Sequence, residues 1–229
     1  MVLYFDHAAS TPVHPAAVSA MTEALTECYG NPSGSHRLAR EANIRLDGAR
    51  AALAQVFGLE PGNIVFTSGG TEADSLAVHG SLRRAVAAIG PGGPAPVAVC
   101  SAVEHHAILD PVTQGGGHTV GVDNDGVLDL GELRTLLEKL SAENTPVAVV
   151  SVMAANNETG VVQPVIEAAA IVRELAPEAL VHTDAVQFSA WRDTTELAAA
   201  VDLLSVSAHK IGGPKGIGFL SIRNGVTLP

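Results

Sequence analysis

The stretch SVSAHKIGGPKGIGFLSI, from Ser205 to Ile222, joins two apolar runs through a short basic and glycine-rich segment. Only 16% of the chain is charged, yet His209 and Lys210 stand between residues that are typical of buried strands. The Gly-Gly-Pro turn at 212–214 follows at once and fixes the direction in which the chain leaves. An ammonium group at the end of a buried strand therefore indicates a site that uses the amine.

The rest of the chain alternates short β-branched runs with longer Ala-rich segments of helical period. The predicted strands are Ile64–Thr67, Val97–Cys100, Thr119–Val122, Val147–Val152, Leu180–Thr183, Leu203–Val206 and Ile217–Ile222. The predicted helices are Pro15–Cys28, Leu38–Phe57, Glu72–Ala88, Leu130–Leu140 and Pro164–Leu175. Several strands are apolar on both faces, which favours a three-layer αβα fold with a mostly parallel central sheet. The glycine-rich segments 90–96 and 114–118 are predicted to be surface loops.

Composition narrows the classes of function that the chain can have. Its 229 residues are enough for a substantial core, and 47% hydrophobic content with only 3% aromatics points to Ala, Val, Leu and Ile as the filling. A net charge of −11 argues against direct nucleic-acid binding. The sequence start has no signal-peptide pattern and no apolar run reaches the ~20 residues that cross a membrane, so we expect a cytoplasmic protein. Cys28 and Cys100 form neither a disulfide framework nor a zinc site, and no metal is expected.

Polar side chains follow five of the predicted strands, and ligands of open α/β sheets collect at the carboxyl ends of strands. The first group is a glycine turn that opens a helix, whose free N–H groups suit a phosphate. That turn fits neither the nucleotide P-loop nor the dinucleotide fingerprint. In chain order, the five groups are Gly70 with Thr71, His105, Asn156 with Asn157, Asp184 with Gln187, and Ser207 with His209 and Lys210.

The joint placement of these groups suits a flat, phosphorylated heteroaromatic aldehyde. The amine of Lys210 would form a Schiff base and Asp184 would pair with a pyridinium nitrogen. The helix start would hold the phosphate, with added hydrogen bonds from Ser207 and His209. Taken singly, each residue is more often structural than functional. Together they predict pyridoxal 5′-phosphate, and few other cofactors fit the set.

Seven motifs, in order, resemble those of the cysteine desulfurases, fold-type I pyridoxal-phosphate enzymes that deliver sulfur for iron–sulfur clusters and tRNA thiolation. They are YFDHAASTPVHP, GNPSGSHRLAREA, FTSGGTEADSLAVHG, EHHAILDP, NNETGVVQPV, HTDAVQ and SAHKIGGPKGIGFL. The resemblance covers essentially the whole chain and implies a homodimer. It implies that residues 15–229 are the cofactor-binding large domain of the fold, cut short at its end. Residues 1–14 would then pack on a C-terminal small domain that is absent here.

The resemblance also implies a role for each matching residue. Lys210 is the Schiff-base lysine, and His105 stacks on the cofactor ring and takes part in proton transfer. Gln187 reaches the phenolic oxygen of the ring, and Asn157 lies beside that oxygen and the substrate carboxylate. The implied cofactor-binding residues are Gly70, Thr71, Asn157, Asp184, Gln187, Ser207, His209 and Lys210. The implied reaction converts L-cysteine to L-alanine and passes sulfur, as a persulfide, to an acceptor such as an iron–sulfur scaffold or a tRNA-thiolation relay.

The sequence departs from the family pattern after the GPKGIG segment. The family's catalytic cysteine, a glycine-rich phosphate contact to the neighbouring subunit and a substrate-clamping arginine all lie beyond it, and neither Cys28 nor Cys100 matches the catalytic position. We therefore expect the cofactor-binding part of a cysteine desulfurase, inactive in sulfur transfer by itself. The alternatives are a split or partner-completed desulfurase, a related selenocysteine lyase, and a non-catalytic remnant that binds the cofactor or serves as a scaffold.

Overall fold

The computed structural model describes residues 3–229, and within that range seven strands form a single sheet. The strands are β1 (Ile64–Thr67), β2 (Val97–Ser101), β3 (His118–Val120), β4 (Val147–Ser151), β5 (Leu180–Asp184), β6 (Leu203–Ser207) and β7 (Gly218–Ile222). The helices are α1 (Pro15–Glu27), α2 (Arg37–Phe57), α3 (Gly70–Ile89), α4 (His106–Gln114), α5 (Leu130–Ala142), α6 (Val165–Leu175) and α7 (Thr195–Ala200). Met1 and Val2, the start of the predicted segment 1–14, lie outside the described residues.

The strand order is β1-β7-β6-β5-β4-β2-β3, and all strands except β7 run in the same direction. Strand β7 is antiparallel to both of its neighbours because residues 208–217, which connect it to β6, contain no crossover helix. The mostly parallel sheet predicted from the sequence is confirmed. As a result, the carboxyl ends of β1, β2, β4, β5 and β6 meet at one edge.

Helices cover both faces of the sheet and divide the core into two clusters. Under α3 and α4, small side chains such as Ala73 and Ala77 allow close packing against the strands. On the opposite face, α5, α6, α7 and the end of α2 bury larger residues, including Leu137 and Phe57. This arrangement confirms the predicted three-layer αβα fold.

Two helices were missed, and one predicted strand and one predicted loop were placed wrongly. Helices α4 and α7 were not predicted, since α4 has only nine residues with Pro111 inside it and α7 has only six. Both are too short for a helical period to stand out. The predicted strand Thr119–Val122 instead runs from His118 to Val120. The predicted loop 114–118 is therefore shorter, because Gln114 ends α4 and His118 begins β3.

Helix α1 lies at the periphery and has no buried residue. Its Leu25 is 77% exposed, and Phe5, which precedes it in the chain, is 87% exposed. Large apolar side chains at the surface of one region favour a covering partner. That this partner is a small domain packed on residues 1–14 remains a prediction. Over residues 3–229 no helix combines the length and the apolar character that a bilayer crossing requires.

Candidate functional site

A cavity of about 290 Å³ opens at the edge where the parallel strands end. The structure brings all of the predicted site residues to its wall: Gly70, Thr71, His105, Asn157, Asp184, Gln187, Ser207, His209 and Lys210. The remaining lining comes from Ala9, Asp74, Met153 and Val186. The sequence prediction that five strand ends share one site therefore agrees with the geometry. The chemical role of each residue is a separate question.

Lys210 ends a short 3₁₀ turn that directly follows β6. Its side chain is partly buried, and its Nζ donates a hydrogen bond to the carbonyl oxygen of Ala8. Burial lowers the pKa of Lys210, although the negative charges of Asp184 and Asp6 act to raise it. A lowered pKa increases the fraction of neutral amine, which is the nucleophilic form.

Asp184 is the last residue of β5 and is only 6% exposed. Its Oδ1 accepts a hydrogen bond from the backbone N–H of Val186 at 2.8 Å. Burial raises the pKa of Asp184, while that hydrogen bond and the electrostatic influence of His105 and Lys210 act to lower it. A buried carboxylate of this kind is stabilised by a cationic partner in the cavity.

His105 lies at the N-cap position of α4. Its Nδ1 accepts a hydrogen bond from the backbone N–H of Ala107 at 3.1 Å. This bond uses Nδ1 as an acceptor, so a proton on the ring belongs to Nε2. The cap thus fixes the imidazole at the cavity wall and its orientation with respect to α4.

The start of α3 forms a second polar wall. The first turn of the 20-residue helix presents Gly70 and Thr71 to the cavity, and backbone N–H groups at such a position favour an anion. A Cβ at Gly70 would lie 2.8 Å from Val186 Cγ2, so only glycine leaves the space as it is. Ser207 adjoins this turn, since a Cβ at Gly70 would lie 3.6 Å from Ser207 Cβ. Ser207 Oγ and His209 Nδ1 are 2.8 Å apart. Burial lowers the pKa of His209, and the charges of Lys210 and Lys215 add to this shift.

The two adjacent asparagines have different environments. Asn156 fixes the turn after β4, since its Oδ1 accepts from the backbone N–H groups of Glu158 and Thr159, each at 2.9 Å. Its Nδ2 donates to the carbonyl oxygen of Val103 at 3.0 Å. Asn156 is thus structural, and only Asn157 lines the cavity.

Gln187 brings an unpaired polar atom to the cavity wall. Its Oε1 is buried and has no hydrogen-bond partner among residues 3–229. An unpaired buried polar atom costs about 1–3 kcal/mol, and a bound molecule with a donor would remove that cost.

The two cysteines stand away from this wall. Cys28 is the partly buried C-cap residue of α1. Cys100 is buried in β2, and burial followed by the charge of Glu104 raises the pKa of its thiol to about 12. Such a thiol is a poor nucleophile. Over the described range, no cluster of three or more His, Cys, Asp or Glu side chains could hold a metal ion.

Sequence reasoning missed two contributions to the site. Asp74, one turn into α3, is 1% exposed and lines the cavity, and its burial is visible only in the structure. The second is the N-terminal segment, where Thr11 N–H donates to the carbonyl oxygen of His209 at 2.8 Å. That contact joins residues far apart in sequence, and no local pattern indicates it.

Comparison with known proteins agrees with this geometry. The chain matches the aminotransferase class-V family over residues 3–228. It is 36% identical to a cysteine desulfurase, IscS, from Dictyoglomus turgidum, covering 99% of this chain and 55% of that protein. It is 34% identical to a selenocysteine lyase from Rattus norvegicus, covering 96% of this chain and 56% of the lyase. The chain therefore spans little more than half the length of these relatives.

Solved structures show the same fold. A NifS-like protein superposes with a TM-score of 0.87 at 36% identity, covering 100% of this chain and 60% of the other. A structure described as SspA in complex with cysteine superposes with a TM-score of 0.84 at 29% identity, covering 100% of this chain and 64% of the other.

Proposed function

Because the chain belongs to the aminotransferase class-V family and corresponds to the N-terminal part of cysteine desulfurases, we propose that it is the pyridoxal 5′-phosphate-binding portion of such an enzyme. The whole protein would convert L-cysteine to L-alanine and pass the sulfur on as a persulfide. One observation carries the proposal. A single cavity combines a partly buried amine, a buried carboxyl group and the start of a long helix.

The residues present fit this cofactor in size and polarity. The glycine at position 70 leaves room beside Val186, and Gln187 Oε1, which has no hydrogen-bond partner among residues 3–229, can accept a hydrogen bond from a ligand. When bound, pyridoxal phosphate supplies an electron sink for bond cleavage at an amino-acid substrate. Lys210 would hold its aldehyde, and the start of α3 with Ser207 would hold its phosphate.

The other residues that line the cavity would position the cofactor and the substrate and exchange protons with them. The buried carboxylate of Asp184 would pair with the ring nitrogen and thereby hold its proton. His105, fixed by its bond to Ala107, would stack on the ring and exchange protons through Nε2. Asn157 would contact the ring oxygen and the substrate carboxylate.

Sulfur transfer needs a thiol that this chain does not supply. The sequence holds two cysteines; Cys100 is buried with a raised pKa, and Cys28 caps α1. We therefore expect the chain alone to be inactive in sulfur transfer. In the complete system, the acceptor would be an iron–sulfur scaffold or a tRNA-thiolation relay, and the protein would act in the cytoplasm as a homodimer.

A second candidate is selenocysteine lyase, because one relative with that activity is 34% identical over 96% of this chain. The described cavity has no feature that favours sulfur over selenium. Comparing sulfide and selenide release by the complete protein from L-cysteine and L-selenocysteine separates the two activities.

The first test is chemical. The purified chain is incubated with pyridoxal phosphate, reduced with borohydride and digested, and the modified peptide is identified by mass spectrometry. We expect a pyridoxyl group on Lys210. A folded chain without this modification would contradict the proposal.

A further inference from the structure

A cluster of buried polar side chains, the buried acid network, adjoins the cavity, which Asp74 itself lines. It is made of Asp74, Glu104, Ser151, His182 and Ser205. Ser151 Oγ lies 3.2 Å from Glu104 Oε1 and 2.9 Å from His182 Nδ1. On the other side of the imidazole, His182 Nε2 lies 2.9 Å from Ser205 Oγ. His182, Ser151 and Ser205 are completely buried. The network thus runs across strands β4, β5 and β6 and connects the loop after β2 with α3.

His182 joins the network as a neutral imidazole. Each ring nitrogen lies within hydrogen-bond distance of a different serine hydroxyl. In a neutral ring, one nitrogen accepts from one hydroxyl and the other nitrogen donates to the second hydroxyl. Burial lowers the pKa of His182 to about 3. Asp74 Oδ1 is 3.7 Å from His182 Nε2, which is too long for a hydrogen bond. The two atoms are within salt-bridge distance, but a neutral imidazole offers Asp74 no positive charge.

Three carboxyl groups share this small volume, and two of them lack what an ionised group needs. Asp74 is 1% exposed and Glu104 is 6% exposed. Asp74 Oδ1 and Glu104 Oε2 are buried without a hydrogen-bond partner in residues 3–229, and neither group pairs there with a lysine or arginine. Asp184, by contrast, receives a backbone hydrogen bond and favourable electrostatic interactions with His105 and Lys210. Ionising more than one carboxyl here is costly, because burial and like charge both oppose it.

We propose that Asp74 and Glu104 are neutral carboxylic acids in the folded protein at neutral pH, and that they leave Asp184 as the single negative charge at the floor of the cavity. They are positioning residues, since they act on the cavity through Asp184. The charge on Asp184 matters only within the proposed function, but the protonation of the other two acids does not depend on it.

The groups that face these acids support the assignment. Burial raises the pKa of Glu104 to about 8, and the charge of Asp184 adds to the rise, against hydrogen bonds from Met153 and Ser151. Burial also raises the pKa of Asp74, as do the charges of Asp184 and Glu104, whereas the Ser205 hydroxyl lowers it. The other titratable groups packed here are His182 on β5, Cys100 on β2, and His105 and Lys210 beside Asp184.

Infrared spectroscopy of the cofactor-free chain at pH 7 tests the proposal. A neutral carboxylic acid has a C=O stretching band that an ionised carboxylate lacks, and H/D exchange shifts it. We expect such bands in the wild type, with one lost in Glu104→Gln and another in Asp74→Asn. Both substitutions keep size and hydrogen-bonding capacity, so the variants should fold. Asp125→Asn and Glu138→Gln, at exposed positions, are matched controls that should leave the bands in place.

Nitrogen-15 NMR of His182 provides a second measurement. A neutral ring has two distinct nitrogen shifts, which we expect to persist between pH 5 and about pH 8. An imidazolium signal at pH 7, or the absence of protonated-carboxyl bands in a folded wild type, would overturn the proposal. If those bands are missing but Lys210 still takes up pyridoxal phosphate, the inference fails and the proposed function stands. If the bands are present but Lys210 takes up no pyridoxal phosphate, the inference stands and the proposed function fails.

Discussion

The Lys210 amine donates its hydrogen bond to the carbonyl oxygen of Ala8, a residue 202 positions earlier in the chain. Two backbone bonds of 2.8 Å, from Thr11 N–H to His209 and from His14 N–H to Gly212, continue the contact along the same turn. The N-terminal segment therefore supports the lysine turn directly, in addition to any packing on another domain. In the absence of an aldehyde, the carbonyl oxygen of Ala8 gives the amine a polar partner.

Lys210→Ala should abolish covalent uptake of pyridoxal phosphate. Lys210 is the lysine that lines the 290 Å³ cavity, so borohydride reduction of the variant should leave no pyridoxyl group in this region. Lys215→Ala is the matched control, because Lys215 lies near the start of α3 but does not line that cavity. The Lys215→Ala variant should keep the adduct at Lys210. Peptide mass spectrometry gives the readout, and an adduct retained by Lys210→Ala would reject the assignment.

Thr11→Val should loosen the lysine turn while keeping the shape of the side chain. The hydroxyl donates to the carbonyl oxygen of His209 at 2.8 Å and accepts from the N–H of Gly212 at 3.0 Å. Loss of two partly buried hydrogen bonds should lower the free energy of unfolding by about 1–3 kcal/mol. Urea unfolding measures this, with Thr22→Val as the control on the exposed face of α1. Equal stability of the two variants would show that the hydrogen bonds of Thr11 with His209 and Gly212 contribute little.

Gly70→Ala should weaken cofactor binding by narrowing the cavity. The added Cβ would lie 2.8 Å from Val186 Cγ2, and Val186 cannot rotate freely because it is β-branched. Such overpacking destabilises the folded chain by about 1–3 kcal/mol. The higher helix propensity of alanine offsets up to about 1 kcal/mol of this loss. Absorbance titration with pyridoxal phosphate provides the affinity. Gly62→Ala is the control, because a Cβ there meets nothing within 4 Å; an equal affinity in both variants would contradict the steric argument.

The site was more predictable from the sequence than parts of the fold that hold it. One rule, that ligands collect where parallel strands end, was enough to select Asp184 and Lys210, because parallel strands align their carboxyl ends whatever their order in the sheet. Asp74 was missed, since its importance comes from burial beside Asp184 and not from its sequence neighbours. The contact of Ala8 with Lys210 was missed because the two residues are 202 positions apart and no local pattern indicates it. Helix α4 was hidden by Pro111, which usually marks the end of a helix.

Glu104→Gln should change the pH dependence of stability in a defined direction. Burial raises the pKa of Glu104 from 4.5 to about 8, so the folded chain holds a proton that the unfolded chain releases above about pH 5. The stabilisation of the folded chain by protonated Glu104 is fully present below pH 4.5, and it is lost as the pH rises through the folded-state pKa. The wild type should therefore lose stability relative to Glu104→Gln by up to about 1.4 kcal/mol per pH unit between pH 5 and pH 7, with a smaller slope toward pH 8.

Urea unfolding of both proteins at pH 5, 6, 7 and 8 gives the difference in free energy directly. Glutamine keeps a carbonyl oxygen for the Ser151 hydroxyl, which lies 3.2 Å from Glu104 Oε1. The change of the free-energy difference with pH therefore reports the proton on Glu104, and the part that does not change with pH reports packing. Glu138→Gln, at an exposed position on α5, is the control for adding a glutamine. A difference that stays constant over this range would mean that Glu104 is ionised in the folded chain, and the buried acid network would then carry a second negative charge beside Asp184.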